Sequence, residues 1–300
     1  MSFRLGNIDG RAVLVDGLGY HDVASLTNGE IGPDPMDAVA NGARLAELAA
    51  SLPDEPTGLI ADATLSAPVP RPPQVFGVGL NYRNHAEESG MALPTQPLVF
   101  TKFPSSIAAP DSDIEMRSDW CDYEGELVAV IGTGGKDIPI ESAWDHVVGL
   151  CVGQDVSDRA TQMISQPPQF SLGKSFNTFS PIGPLLVAPS ALDDPAVMQM
   201  TVTVNGDVRQ DDSTGDLIFD IPTLVSYLSH ICTLQPGDVI FTGTPGGVGM
   251  AGAGFLRDGD VVTTSIDGLG SITNRCRRVG DHPYTDDIPE FFKRRRRSDD

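Results

Sequence analysis

At 300 residues, 40% hydrophobic and 20% charged, the chain can build a large core and one or two globular domains. A formal net charge of −21 excludes the broad basic surface that nucleic acid binding needs, and no apolar run is long enough for a transmembrane helix. Cys121, Cys151, Cys232 and Cys276 stand far apart without a Cys-x-x-Cys, so free thiols in a reducing, cytoplasmic setting are expected rather than a zinc site or dithiol motif. Met1–Leu5 lacks the apolar core of a secretory signal.

Residues 1–70 read as a small N-terminal α+β unit. Phe3–Leu5 and Ala12–Val15 are strand candidates around the turn Asp9-Gly10. Met36, Val39, Ala40, Leu45, Leu48 and Ala49 recur at helical spacing, which predicts one helix over 35–50. Pro53, Pro56, Pro68, Pro70, Pro72 and Pro73 mark a linker, with a boundary near residue 70.

Residues 71–280 form the main domain. Val75–Leu80 reads as a buried strand, and Asn81 as the cap of a short helix over 82–89. A strand over 97–103 and a polar loop over 104–119 follow. Asp122-Tyr123-Glu124-Gly125-Glu126 then opens an extended stretch that continues into the apolar run Leu127–Ile131. Further strands are predicted at Val147–Val156 and Ile182–Ala188. Asn205-Gly206 supplies the positive φ of a type I′ turn between Met198–Val204 and Asp207–Gln210. Asp220 and Pro222 start a helix over Ile221–Ile231. Val239–Thr242 is a strand that leads into the Gly-rich turn Gly243-Thr244-Pro245-Gly246-Gly247, and a last hairpin spans 260–279. Strands dominate and βαβ alternation is absent. The expected class is α+β, with β-rich mixed layered sheets and few short helices. The tail, residues 281–300, carries the basic run Lys293–Arg297 and reads as solvated.

Four clusters carry chemistry. On an extended strand Glu124 and Glu126 point the same way, roughly 7 Å apart. Buried together they need a cation, and carboxylate oxygens suit a hard divalent ion. A lone Glu-x-Glu is more plainly an acidic sheet edge, so the neighbours decide. Asp155, ending an apolar strand, offers a third carboxylate. His85 and Glu88 stand three residues apart on a helical turn, where a carboxylate can orient an imidazole as a general base. Lys174, one of four lysines in the chain, sits among small and apolar residues in Ser171-Leu172-Gly173-Lys174-Ser175-Phe176 and suits oxyanion stabilisation. Arg159 and Gln162 are candidate donors to a substrate carboxylate or carbonyl. The 243–247 turn lacks the Gly-Lys-Ser/Thr of a phosphate loop and reads better as a backbone nest for a carboxylate. Asp122, two residues before Glu124, is expected to support the site rather than bind the ion.

In this order the motifs resemble the fumarylacetoacetate hydrolase family. The likeness rests on Val78-Gly79-Leu80-Asn81-Tyr82-Arg83-Asn84-His85, Asp122–Leu127, Asp155-Val156-Ser157, Gly173–Phe176 and Gln235–Pro245. It covers about residues 70–280. The resemblance implies a homodimeric, metal-dependent enzyme. Glu124, Glu126 and Asp155 would hold Mg²⁺ or Mn²⁺, His85 with Glu88 would activate water, and Lys174 would stabilise the reacting oxygen. Arg83, Arg159, Gln162 and Thr244 would contact the substrate. One departure is Gln154, where the family often has Asn. The implied reaction is hydrolysis of a carbon–carbon bond in a 2,4-diketo acid of acylpyruvate type. The rivals are decarboxylation, tautomerisation or isomerisation of an oxaloacetate-like keto acid at the same site, and a protein that binds metal and ligand without catalysis.

Overall fold

The computed structural model describes residues 2–88, 92–165 and 167–281, and of residues 86–88 the backbone alone. The strand Gly125–Ile131 is buried along its whole length, and its side-chain alternation explains why. Leu127, Ala129 and Ile131 enter one core with Leu224, Val225 and Leu228 of the helix Ile221–Ile231. Val128 and Val130 enter a second core with Val39 and Leu45 from the N-terminal helices. A strand between two apolar layers has no polar face, so its sequence is a continuous apolar run.

This strand lies inside a twelve-stranded mixed sheet. Val147–Gln154 and Val239–Phe241 flank it, both antiparallel. Val239–Phe241 runs parallel to Val75–Gly79, and Leu98–Thr101 ends that side of the sheet. On the other side Ser180–Val187 pairs with Val147–Gln154 and with Arg4–Ile8, so the first strands of the chain extend the same sheet. A five-stranded sheet, ordered Asp207–Ser213, Gln199–Val204, Val261–Ile266, Gly270–Arg278 and Ile114–Met116, adds Met200, Ile266 and Ile272 to the first core. The chain is thus a β-rich α+β protein of layered mixed sheets with few short helices, as expected. Among the described residues no helix is long and apolar enough to cross a membrane.

The strands pack closely where they meet. A Cβ on Gly153 would lie 2.5 Å from Val128 Cγ2 and 2.8 Å from Phe241 Cε1. Gly153→Ala is therefore expected to lower stability by about 1–3 kcal/mol through overpacking, read as a lower thermal midpoint.

Local expectations met mixed outcomes. Asp220 caps its helix by accepting from Thr223 N at 2.9 Å, and Asn205 and Gly206 take φ of 55° and 87° in the hairpin turn. The helix predicted over 35–50 is instead two, Pro35–Val39 and Gly42–Ala49. Asn41 donates its amide to Asp37 O at 2.8 Å, and Gly42 follows, a pair that favours a break over a continuous helix. The loop expected over 104–119 includes the strand Ile114–Met116, which pairs in parallel with Cys276–Arg278. Asn81 is not a helix cap. Its amide donates to Phe219 O and Thr242 O and accepts from Phe219 N, which ties three segments together. The basic run at 293–297 lies outside the described residues.

Candidate active site

The expected continuous acidic strand is interrupted. Cys121–Asp122 pairs with Ser157–Asp158, and Gly125 starts the central strand, leaving Tyr123 and Glu124 as a break between them. Two buried glutamines fix this break. Gln154 Oε1 accepts from Glu124 N at 3.0 Å, and Gln210 Oε1 accepts from Gly125 N at 2.9 Å. Gly125 has to be glycine, because a Cβ would lie 2.3 Å from Val202 Cγ2. Asp155 N donates to Glu124 O at 2.8 Å, which brings the end of the neighbouring strand alongside. The result is that Glu124, Glu126 and Asp155 each place one carboxylate oxygen within 4.8 Å of the others.

Their charges are unequally balanced. Lys174 Nζ lies 2.6 Å from Glu124 Oε2 and 2.7 Å from Asp155 Oδ2. Lys102 pairs with the other Asp155 oxygen and donates to Phe179 O at 3.1 Å. Arg159 donates to Glu124 Oε1 at 2.6 Å, Asp122 Oδ2 at 2.9 Å and Gln162 Oε1 at 2.9 Å. Glu126, only 1% exposed, has no basic partner among the described residues. It accepts from Gly243 N at 2.7 Å, so the Gly-rich turn gives one backbone N–H to the protein's own carboxylate.

Ionisation follows these contacts. Burial works against charge on Glu124, but Lys174 and Arg159 outweigh it and hold the carboxyl well below the usual carboxylate range. For Glu126 burial acts in the same direction as repulsion from Asp155 and Glu124, and its carboxyl is pushed far up. Burial lowers the Lys102 ammonium, with Asp155 offsetting it in part. Burial also acts on Lys174, but Asp155 and Glu124 prevail and hold its proton more tightly.

Asp122, Glu124, Glu126 and Asp155 thus share Lys102, Arg159 and Lys174, leaving one carboxylate without a matching cation. A hard divalent ion fits both the donor set and the charge deficit at Glu126.

Glu124 and Glu126 line a cavity of about 470 Å³, in the size range of small-molecule sites. His85 and Lys174 line it too. Asp122 accepts from Gly249 N at 2.7 Å and Met250 N at 3.0 Å, which anchors the loop whose Val248 and Met250 form part of the wall. Asp122 therefore supports the site through Arg159 and this loop.

A family model for the fumarylacetoacetate (FAA) hydrolase C-terminal domain matches residues 74–277. The chain belongs to the fumarylacetoacetate hydrolase family. The human "Oxaloacetate tautomerase FAHD2A, mitochondrial" is 41% identical over 232 residues, 76% of this chain and 73% of that protein. The fumarylacetoacetate hydrolase of psychrophilic Exiguobacterium antarcticum superposes with a TM-score of 0.80 at 34% identity, covering 93% of this chain and 99% of that one. Maleylpyruvate hydrolase from Sphingobium sp. SYK-6, crystallised with manganese(II) and pyruvate, superposes with a TM-score of 0.78 at 29% identity, covering 93% and 100%. The family thus includes a solved relative that holds a divalent metal and a small keto acid.

In this family member, the structure brings His85, Lys174, Glu124, Glu126, Arg159, Gln162 and Thr244 to one cavity. Asp155 lies behind the lining, against Lys102 and Lys174. Arg83 is placed elsewhere. Its side chain is half exposed, 3.6 Å from Asp216, and lines a separate cleft. The Thr244 hydroxyl donates to Gly125 O at 2.8 Å and accepts from Gln210, so it is engaged within the protein. The Glu88 side chain lies outside the described residues. The departure at Gln154 is accommodated: its Nε2 donates to Thr264 Oγ1 at 2.7 Å while its Oε1 holds Glu124 N.

Lys102 and Gln210 were not anticipated. Lys102 follows the strand Leu98–Thr101, and its scarcity as one of four lysines was the available signal. Lys102→Met is expected to cost about 1–3 kcal/mol of stability, because one Asp155 oxygen loses its partner. Chemical denaturation of the variant checks this.

Proposed function

We propose that this protein is a divalent-metal-dependent enzyme that cleaves a carbon–carbon bond of a small 2,4-diketo acid by hydrolysis. The observation that carries the reading is a cluster of three carboxylates, two of which, Glu124 and Glu126, open with Lys174 and His85 onto one cavity. An ion held by Glu124, Glu126 and Asp155 would supply Lewis-acid charge to the keto-acid end of the substrate. His85, oriented by Glu88, takes a proton from water as the oxygen attacks the C4 carbonyl. Lys174 Nζ donates to the oxygen that gains charge at C4. The C3–C4 bond breaks, C3 receives a proton, and pyruvate and a carboxylic acid leave. Arg159 keeps Glu124 ionised and oriented, and with Gln162 it faces the carboxylate of the substrate.

A second reading is keto–enol tautomerisation of an oxaloacetate-like acid at the same site, and the human relative's name supports it. Proton transfer by His85 serves either reaction. The deciding experiment is a product assay with Mg²⁺ or Mn²⁺, offering acylpyruvates and oxaloacetate in parallel. Pyruvate and free acid from an acylpyruvate support hydrolysis. Inert acylpyruvates with faster keto–enol exchange of oxaloacetate move the assignment to the second reading. Binding without turnover of any of them leaves a non-catalytic binding protein. A homodimer and a cytoplasmic location are proposed with this reading, on the family likeness and on the sequence. The human relative is named mitochondrial, so cell fractionation tests the location.

A further inference from the structure

The lining of the cavity divides by chemistry. One part is polar: Glu124, Glu126, Lys174, Arg159 and His85. Much of the rest is apolar and includes Leu98, Phe100, Met163, Phe170, Val248 and Met250. Phe100 and Phe170 meet edge to face, with ring centres 5.7 Å apart. Lys174 Nζ lies 5.1 Å from the centre of the Phe100 ring, so this ring marks where the two parts join.

Among the described residues, the apolar part of the lining carries no Lys or Arg. Lys174 and Arg159 belong to the polar part, where Lys174 is held against Glu124 and Asp155 and Arg159 against Asp122, Glu124 and Gln162. Arg83 faces Asp216 and a different cleft. The stretches that flank the lining residues in sequence, 86–97, 163–172 and 245–256, contain neither Lys nor Arg. A carboxylate carried into the apolar part would lose its water and gain no counter-charge, which is costly. An alkyl or aryl group there gains by leaving water and meets aromatic edges.

We infer that the cavity selects a keto acid with a single carboxylate, whose far end is an uncharged aliphatic or aromatic acyl group. This rests on the reading that the keto-acid end binds at the carboxylate cluster.

The test is binding rather than turnover, so it stands apart from the assignment of the reaction. The Mg²⁺-loaded protein is titrated by calorimetry with 2-oxohexanoate and with 2-oxoadipate. They have the same chain length, lack the 4-oxo group that hydrolysis requires, and differ by a terminal carboxylate. The monoanion is expected to bind roughly 100-fold more tightly. Equal or tighter binding of the dianion would overturn the inference and leave the metal site and reaction class intact. Met250→Arg supplies a positive charge in the apolar part and is expected to narrow the preference at least about tenfold. An unchanged preference in that variant would place the acyl end elsewhere and overturn the inference as well. If neither keto acid binds, the proposed function fails, and this inference with it.

Discussion

Asp155→Asn is expected to abolish divalent-metal binding and turnover together and to lower stability by about 3–5 kcal/mol. Asp155 is fully buried between two ammonium groups, Lys102 and Lys174. An amide of the same shape removes the charge that both of them face. Lys102 is then left with the Phe179 carbonyl, and burial already weakens its hold on a proton. The loss of a donor oxygen from the three-carboxylate set acts separately, on the ion. Mn²⁺ calorimetry, thermal denaturation and the product assay on one preparation separate these effects. A variant that melts like the wild type and binds Mn²⁺ equally well would contradict the placement of Asp155.

His85→Ala is expected to behave differently. Turnover should fall about 100- to 10,000-fold, the usual contribution of a positioned general base. Metal affinity should stay close to wild type, since His85 is outside the carboxylate cluster. Its stability should change by no more than about 0.5 kcal/mol, as for substitutions without core packing. Undiminished hydrolysis in this variant would remove His85 as the proton acceptor. Taken together, the two substitutions separate holding the ion from moving the proton.

The members of the carboxylate cluster were legible in the sequence for a local reason. Glu124 and Glu126 adjoin one strand and Asp155 ends its neighbour, and both strands are continuous apolar runs that can only be interior. The groups that hold them in place were less legible, because their contacts span the fold. Lys102 meets Asp155 across 53 residues, and Gln210 reaches Gly125 across 85. Nothing near Gln210 marks it as anything but a polar residue on a hairpin strand. Asn81 misled in the opposite way. It has the composition of a helix cap, yet its amide serves two segments more than 130 residues away. Arg83 illustrates a limit of resemblance: it belongs to a motif stretch, but its side chain turns to Asp216. In the N-terminal helices, apolar spacing alone did not reveal the break that Asn41 and Gly42 impose. The strands were read well because alternation and burial are local properties, whereas buried polar pairing is set by topology.

Glu124, Glu126 and Asp155 are proposed to hold one divalent ion on which activity depends. Glu126 is the carboxylate to change, because among the described residues it has no ion pair with a basic side chain. The measurement is Mn²⁺ titration of metal-stripped wild type and Glu126→Gln, followed by calorimetry and by turnover of an acylpyruvate and of oxaloacetate. One Mn²⁺ per wild-type chain is expected, with activity that rises with occupancy, and neither in the variant. Full turnover in the metal-stripped wild type, or equal Mn²⁺ affinity in Glu126→Gln, would contradict it.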